Sequence, residues 1–190
     1  PGHPFNNVVA MPDDTPLPPI WLLGSSDYSA ELAAKVGMGF AFAHHFATYD
    51  AVAAMTNYRT RFKPSGWRTT PHAILAVAAV AAETDAEAER LAASMDLNRL
   101  RRDRGQYLPL PSVEEALAYP YSDAERASIA RHRERFFVGS PATVKAKLQP
   151  LIEASRPDEL MVITATYDHD ARKTSYSLLA DAFGLTKKEA

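Results

Sequence analysis

The apolar positions of this chain fall into short, nearly continuous runs separated by stretches with helical spacing. Ile20-Trp21-Leu22-Leu23 is the first such run, stopped by Gly24. Phe40-Ala41-Phe42-Ala43 is the second and leads into His44-His45-Phe46; Ala73 to Ala81 is the third and Glu159 to Thr164 the fourth. Short, bulky and bounded by Pro, Gly or polar residues, runs of this kind predict strands covered on both faces, as in a parallel sheet. The intervening stretches read as helices. Ser25, Ser26 and Asp27 are N-cap residues ahead of a helix that Gly37 ends, because the left-handed residue after a helix favours glycine. A second helix spans about Thr48 to Phe62 and stops before Pro64.

Three further helix starts carry the Ser/Thr-x-x-Glu spacing of a capping box: Thr84 with Glu87, Ser112 with Glu115, and Ser122 with Glu125. The first opens a helix to about Arg102, and the last a charged helix through Arg126, Arg131, Arg133 and Arg135. Ser140-Pro141, a serine N-cap followed by proline at the first helical position, opens a helix to about Ala154. Asp168 caps a final helix that Gly184 ends.

The order predicts a proline-rich extended lead-in over 1–19, three β/α units over 20–102, a polar insertion over 103–139, and a closing helix, strand and helix over 140–190. A (β/α)8 barrel averages ~250 residues, so one unit takes roughly 31. Four units, the insertion and the lead-in together account for the chain, which therefore reads as about half a barrel. A complete open four-stranded sheet is the alternative. Pro1 stands where an initiator Met is expected, so the chain reads as beginning inside a longer protein.

Composition narrows the chemistry. The 190 residues include no cysteine, which excludes disulfides, thiolate metal sites and a Cys nucleophile. A net charge of −2 gives no global footprint for nucleic acid. No apolar run reaches the ~18–20 residues of a membrane helix, and the expected location is cytoplasmic. In parallel α/β folds the carboxyl ends of the strands face the site. Gly24, Ser25, Ser26 and Ser29 lie at such an end, where helix amides and hydroxyls can cradle a phosphate. Ordinary helix capping explains the same residues, so both readings stand. His44 and His45 end the second strand, where alternation points one inward and the other toward the helices. Arg99, Arg101, Arg102 and Arg104 suit either an anion or a solvated helix end. Asp168 and His169 offer only a weak metal reading.

The series Pro19-Ile20-Trp21-Leu22-Leu23-Gly24-Ser25-Ser26, Phe40-Ala41-Phe42-Ala43-His44-His45-Phe46, Phe137-Val138-Gly139-Ser140-Pro141 and Asp158-Glu159-Leu160-Met161-Val162 resembles the bacterial luciferase-like, flavin-dependent monooxygenases. Each motif alone is weak; the collinear order from about 18 to 183 is specific. The resemblance implies the C-terminal half, strands 5–8, of a (β/α)8 TIM barrel, with a helical insertion after the third visible strand that acts as a mobile cover. It implies reduced FMN supplied by a reductase, or F420 in sister groups, and a small organic substrate oxidised with O2. The family's phosphate ligands fall on Ser25, Ser26 and Ser29 beside Gly24, and the position beside the flavin ring falls near His44, the candidate catalytic residue. Luciferase itself carries tryptophan near His44 and glutamate at Ser25, departures that point away from light emission. Strands one to four, with much of the ring pocket, are absent. The resemblance therefore implies association with an N-terminal half or a homodimer of half-barrels, and leaves a non-catalytic binding module as the alternative.

Overall fold

The computed structural model describes residues 18–185 throughout and residues 2–5, 8, 11, 12, 15 and 16 of the lead-in. The apolar run at Val8 continues into Val9 and Ala10, which lie outside the described residues. Five strands, β1 (Trp21–Gly24), β2 (Gly39–Ala43), β3 (Ala73–Ala81), β4 (Phe136–Gly139) and β5 (Glu159–Ile163), form one sheet with every pairing parallel. Among the described residues seven α-helices accompany them: α1 (Asp27–Val36), α2 (Ala51–Arg61), α3 (Asp85–Asp103), α4 (Val113–Ala118), α5 (Asp123–Arg133), α6 (Pro141–Ser155) and α7 (His169–Ala182). The first part of β3 pairs with β2 through Ala73–Ala76 and with β5 through Ile74–Ala78. Its last residues, Ala78–Ala81, run further and pair with β4.

Strand alternation sorts the side chains into two faces. Phe40, Phe42, Leu75, Val77, Leu160 and Val162 pack with Ala30, Met55, Tyr58, Val144, Leu148 and Leu179, so α1, α2, α6 and α7 cover one face. On the opposite face, Val80 and Val138 meet Ala88, Leu91 and Ala92 of α3 at the carboxyl end. Elsewhere on that face Leu23 is 67% exposed, Met161 49% and Ile163 41%. Among the described residues β1 pairs only with β2, and β5 only with β3, so both outer edges are open.

Two local devices hold the covered layer in place. Gly37 is left-handed at φ 69°, and its amide bonds the carbonyl of Ala33. A Cβ there would also stand 2.4 Å from the Lys63 carbonyl oxygen, so both conformation and space require glycine. The fully buried Tyr58 hydroxyl donates to the Met38 carbonyl at 2.8 Å and accepts from the His72 amide at 3.1 Å, clipping α2 to the starts of β2 and β3.

Several local expectations are corrected. β4 lies inside the stretch read as insertion, so the sheet has five strands rather than four. His44–Phe46 form a 3-10 turn after β2 instead of continuing the strand, so strand alternation does not orient the two histidines. The capping box closes on both sides only at Ser122 and Glu125. Thr84 and Ser112 cap their helices with the side-chain oxygen, but Glu87 turns to Arg90 and Glu115 to Arg101.

Candidate active site at the strand carboxyl ends

Gly24 ends β1, and His44–Phe46, Ser140 and Thr164 follow β2, β4 and β5; with the end of β3 they lie at one end of the parallel sheet. At β1, Ser26 takes the extended N-cap conformation, yet its side chain makes no capping bond. The Tyr28 amide is taken by Asp27 Oδ1 at 2.9 Å, while those of Asp27 and Ser29 find no partner among the described residues. Ser29 Oγ donates to the Ser26 carbonyl at 2.8 Å and would have to rotate its proton away from it to meet an anion, whereas the hydroxyls of Ser25 and Ser26 make no hydrogen bond among the described residues. A Cβ at Gly24 would stand 2.0 Å from Ser29 Oγ, so glycine is what lets β1 come this close to the first turn of α1. The result is a half-buried cradle of hydroxyls and unshared amides at the positive end of a ten-residue helix.

At β2 the two histidines separate. His44 lies against Phe137, ring centroids 6.1 Å apart, beside a cleft of about 360 Å³ with Tyr49, Asp50 and Arg135. Its Nδ1 is buried without a hydrogen-bond partner among the described residues. Burial holds its pKa below the ordinary 6.5, and the charges of Arg135 and His45 add to that while Asp50 opposes it. His45 lines a different, larger cavity of about 440 Å³, between α3, α5, Ala78 of β3, the start of β4 at Phe136 and the end of β5 at Ile163. Its Nδ1 lies 3.3 Å from the Ala76 carbonyl, so that nitrogen carries the proton and Nε2 is the acceptor. Burial lowers its pKa as well, partly offset by that carbonyl.

The larger cavity is walled by Phe46, Met95, Phe136 and Ile163 and rimmed by arginines. Of the four arginines picked out in the sequence, Arg101 pairs with Glu115 and Arg104 with Glu125, whereas Arg99 and Arg102 reach the cavity. Arg131, Arg133 and Arg135 join them from the segment read only as a charged helix. Arg133 grips Asp96 through two bonds of 2.8 Å and crosses the Phe136 ring at 5.2 Å. Burial pushes the Asp96 carboxyl above its ordinary range, and the guanidinium only partly counters it. That pair ties α5 to α3. Arg104, Tyr119 and Glu125 tie the insertion a second time, through bonds of 2.5–3.1 Å. Asp168 caps α7 through the Ala171 amide at 2.6 Å, and His169 is the first residue of that helix.

The family model described as luciferase-like monooxygenase matches residues 3–157. The chain belongs to the luciferase-like monooxygenase family. It is 37% identical to a luciferase-like monooxygenase of Escherichia coli K12 over 163 residues, 86% of this chain and 49% of that protein. The crystal structure of apo-MsnO8 superimposes with a TM-score of 0.82 at 36% identity, over 98% of this chain and 56% of that one. The oxygenating constituent of 3,6-diketocamphane monooxygenase from Pseudomonas putida, a type II Baeyer-Villiger monooxygenase crystallised with FMN, aligns with a TM-score of 0.55 at 25% identity. That alignment covers 90% of this chain and 50% of that one. This family member spans about half the length of the curated relatives it matches.

Proposed function

We propose that this chain is the strand 5–8 half of a (β/α)8 barrel that uses FMN to oxygenate a small organic substrate. Two observations support the half-barrel. One sheet face leaves the apolar side chains of Leu23 and Met161 exposed although parallel sheets normally bury both faces. Both outer strands also keep free edges, which a closed barrel removes. The partner that completes the barrel is an N-terminal half with the missing four strands; a second copy of this chain is the competing completion.

The observation that carries the cofactor reading is the cradle at Gly24. The Asp27 and Ser29 amides and the hydroxyls of Ser25 and Ser26 make no hydrogen bond among the described residues, and Ser29 Oγ stands beside them against Gly24. This chemistry fits the phosphate of FMN. When bound, reduced flavin supplies the electrons for oxygen activation. The chain's own residues position it: the cradle holds the phosphate, His45 lines the cavity, and Phe46, Phe136 and Ile163 give that cavity an apolar wall. FMN is favoured over F420 by the neighbour that binds FMN. The experiment is an FMN titration of the full-length protein carrying Ser26→Ala and Ser29→Ala. At ~1 kcal/mol per hydrogen bond the loss of both hydroxyls weakens binding by about tenfold or more. An unchanged dissociation constant rejects the anchor.

A further inference from the structure

The arginine-rimmed cavity carries more positive charge than the fold uses. Arg102, Arg131 and Arg135 line it, and none has a carboxylate within ion-pair distance among the described residues. Arg99 shares Asp103 with His132, at 3.2 and 3.7 Å. Asp96 is the carboxylate among the lining residues, and both its oxygens are already held by Arg133. Behind this rim the wall is apolar. A pocket with an apolar floor and several uncompensated guanidiniums at its mouth is complementary to an apolar body ending in an oxyanion.

We propose that this cavity takes the anionic head of an organic substrate, a carboxylate or sulfonate, with its apolar body against Phe46, Met95, Phe136 and Ile163. Arg102 and Arg131 are the outer capturing pair, and half-buried Arg135 meets the head from the β4 side. The cradle at Gly24 is a separate site for a different anion, at the end of β1, and none of its residues lines this cavity. The inference names the substrate class for the oxygenation proposed above and rests on that reading for the reaction, but the binding itself requires no flavin.

The test is calorimetric titration of the protein with hexanesulfonate and hexanoate, against hexan-1-ol as the uncharged analogue. Both anions are expected to bind at least tenfold tighter than the alcohol. The Arg102→Gln, Arg131→Gln double variant should lose that tenfold preference while keeping its circular dichroism and its FMN affinity, since both side chains are exposed. Arg135→Gln, measured separately, should weaken the anions and leave hexan-1-ol unchanged. Equal affinity for the anions and the alcohol overturns the inference, as does wild-type anion binding by the folded double variant. Displacement of hexanesulfonate by FMN but not riboflavin also overturns it, because it gives the cavity to the flavin phosphate. Anion binding by protein that fails to bind FMN keeps this inference and removes the flavin reading.

Discussion

Replacing Gly24 by alanine tests the close approach on which the cradle depends. The new Cβ would stand 2.0 Å from Ser29 Oγ and 2.2 Å from Ser29 Cβ. Non-bonded carbons rest at about 3.5–4.0 Å, so the end of β1 and the first turn of α1 must part by on the order of 1.5 Å. Ser29 cannot swing clear, because its Cβ belongs to the helix and only its hydroxyl is free to rotate. Overpacking of this kind costs about 1–3 kcal/mol. Urea unfolding followed by circular dichroism measures it, and a double-mutant cycle assigns its cause. In a Ser29→Gly background the nearest atom of residue 29 to the new Cβ is the Cα, at 3.7 Å. The cost of Gly24→Ala should then fall by at least ~1 kcal/mol, even though glycine within a helix itself costs about 1 kcal/mol. Ser29→Ala keeps the Cβ and should give no such rescue. A penalty for Gly24→Ala that is the same in wild-type and Ser29→Gly backgrounds refutes the reasoning.

Other consequences follow from the same geometry. Arg133→Ala leaves the Asp96 carboxylate buried without its partner and should destabilise the fold by about 3–5 kcal/mol in urea, with part recovered by Asp96→Asn in the same chain. A loss below ~1 kcal/mol would mean that solvent already screens the pair. The Glu125 carboxyl is lowered from its ordinary 4.5 to about 2, chiefly by the Ser122 amide and hydroxyl. Its folded-state pKa is the lower one, so the stabilisation is complete above pH 4.5 and fades as pH falls toward 2. Amide exchange in α5 should accelerate through that window, and Glu125→Gln should flatten the dependence. Tyr58→Phe removes the clip between Met38 and His72, should cost about 1–3 kcal/mol, and should raise amide exchange first at His72, whose N–H loses its acceptor.

What could be read from the sequence follows how local each signal is. β3 was legible end to end because ten consecutive apolar residues, Ala73–Ala82, stand between Pro71 and Thr84, and the first nine form the strand. β4 was not, because four residues adjoining a charged helix become a strand only through Ala78–Ala81, which lie more than fifty positions earlier. The three capping-box spacings look alike in sequence. Nearby arginines decide their fate: Arg90, one turn on in the same helix, takes Glu87, and Arg101, brought in by packing, takes Glu115, while Glu125 keeps the Ser122 amide. For the histidines, residue type and place in the chain were legible. Their environments were set by the turn after β2, which gives His45 the large cavity and His44 the ring of Phe137. The cradle residues were visible as a strand-end glycine followed by serines. What sequence could not supply was the absence of a side-chain cap at Ser26.

The central claim is that the strand 5–8 half of a flavin-using barrel anchors FMN by its phosphate at Gly24, Ser25, Ser26 and Ser29. Paired equilibrium titrations of the full-length protein with FMN and with riboflavin test it most directly, since the two ligands differ only in that phosphate. The account predicts that FMN binds at least tenfold tighter, and that Ser26→Ala with Ser29→Ala erodes the difference by weakening FMN alone. Equal affinities for FMN and riboflavin, or a preference for FMN untouched by the double substitution, would contradict it.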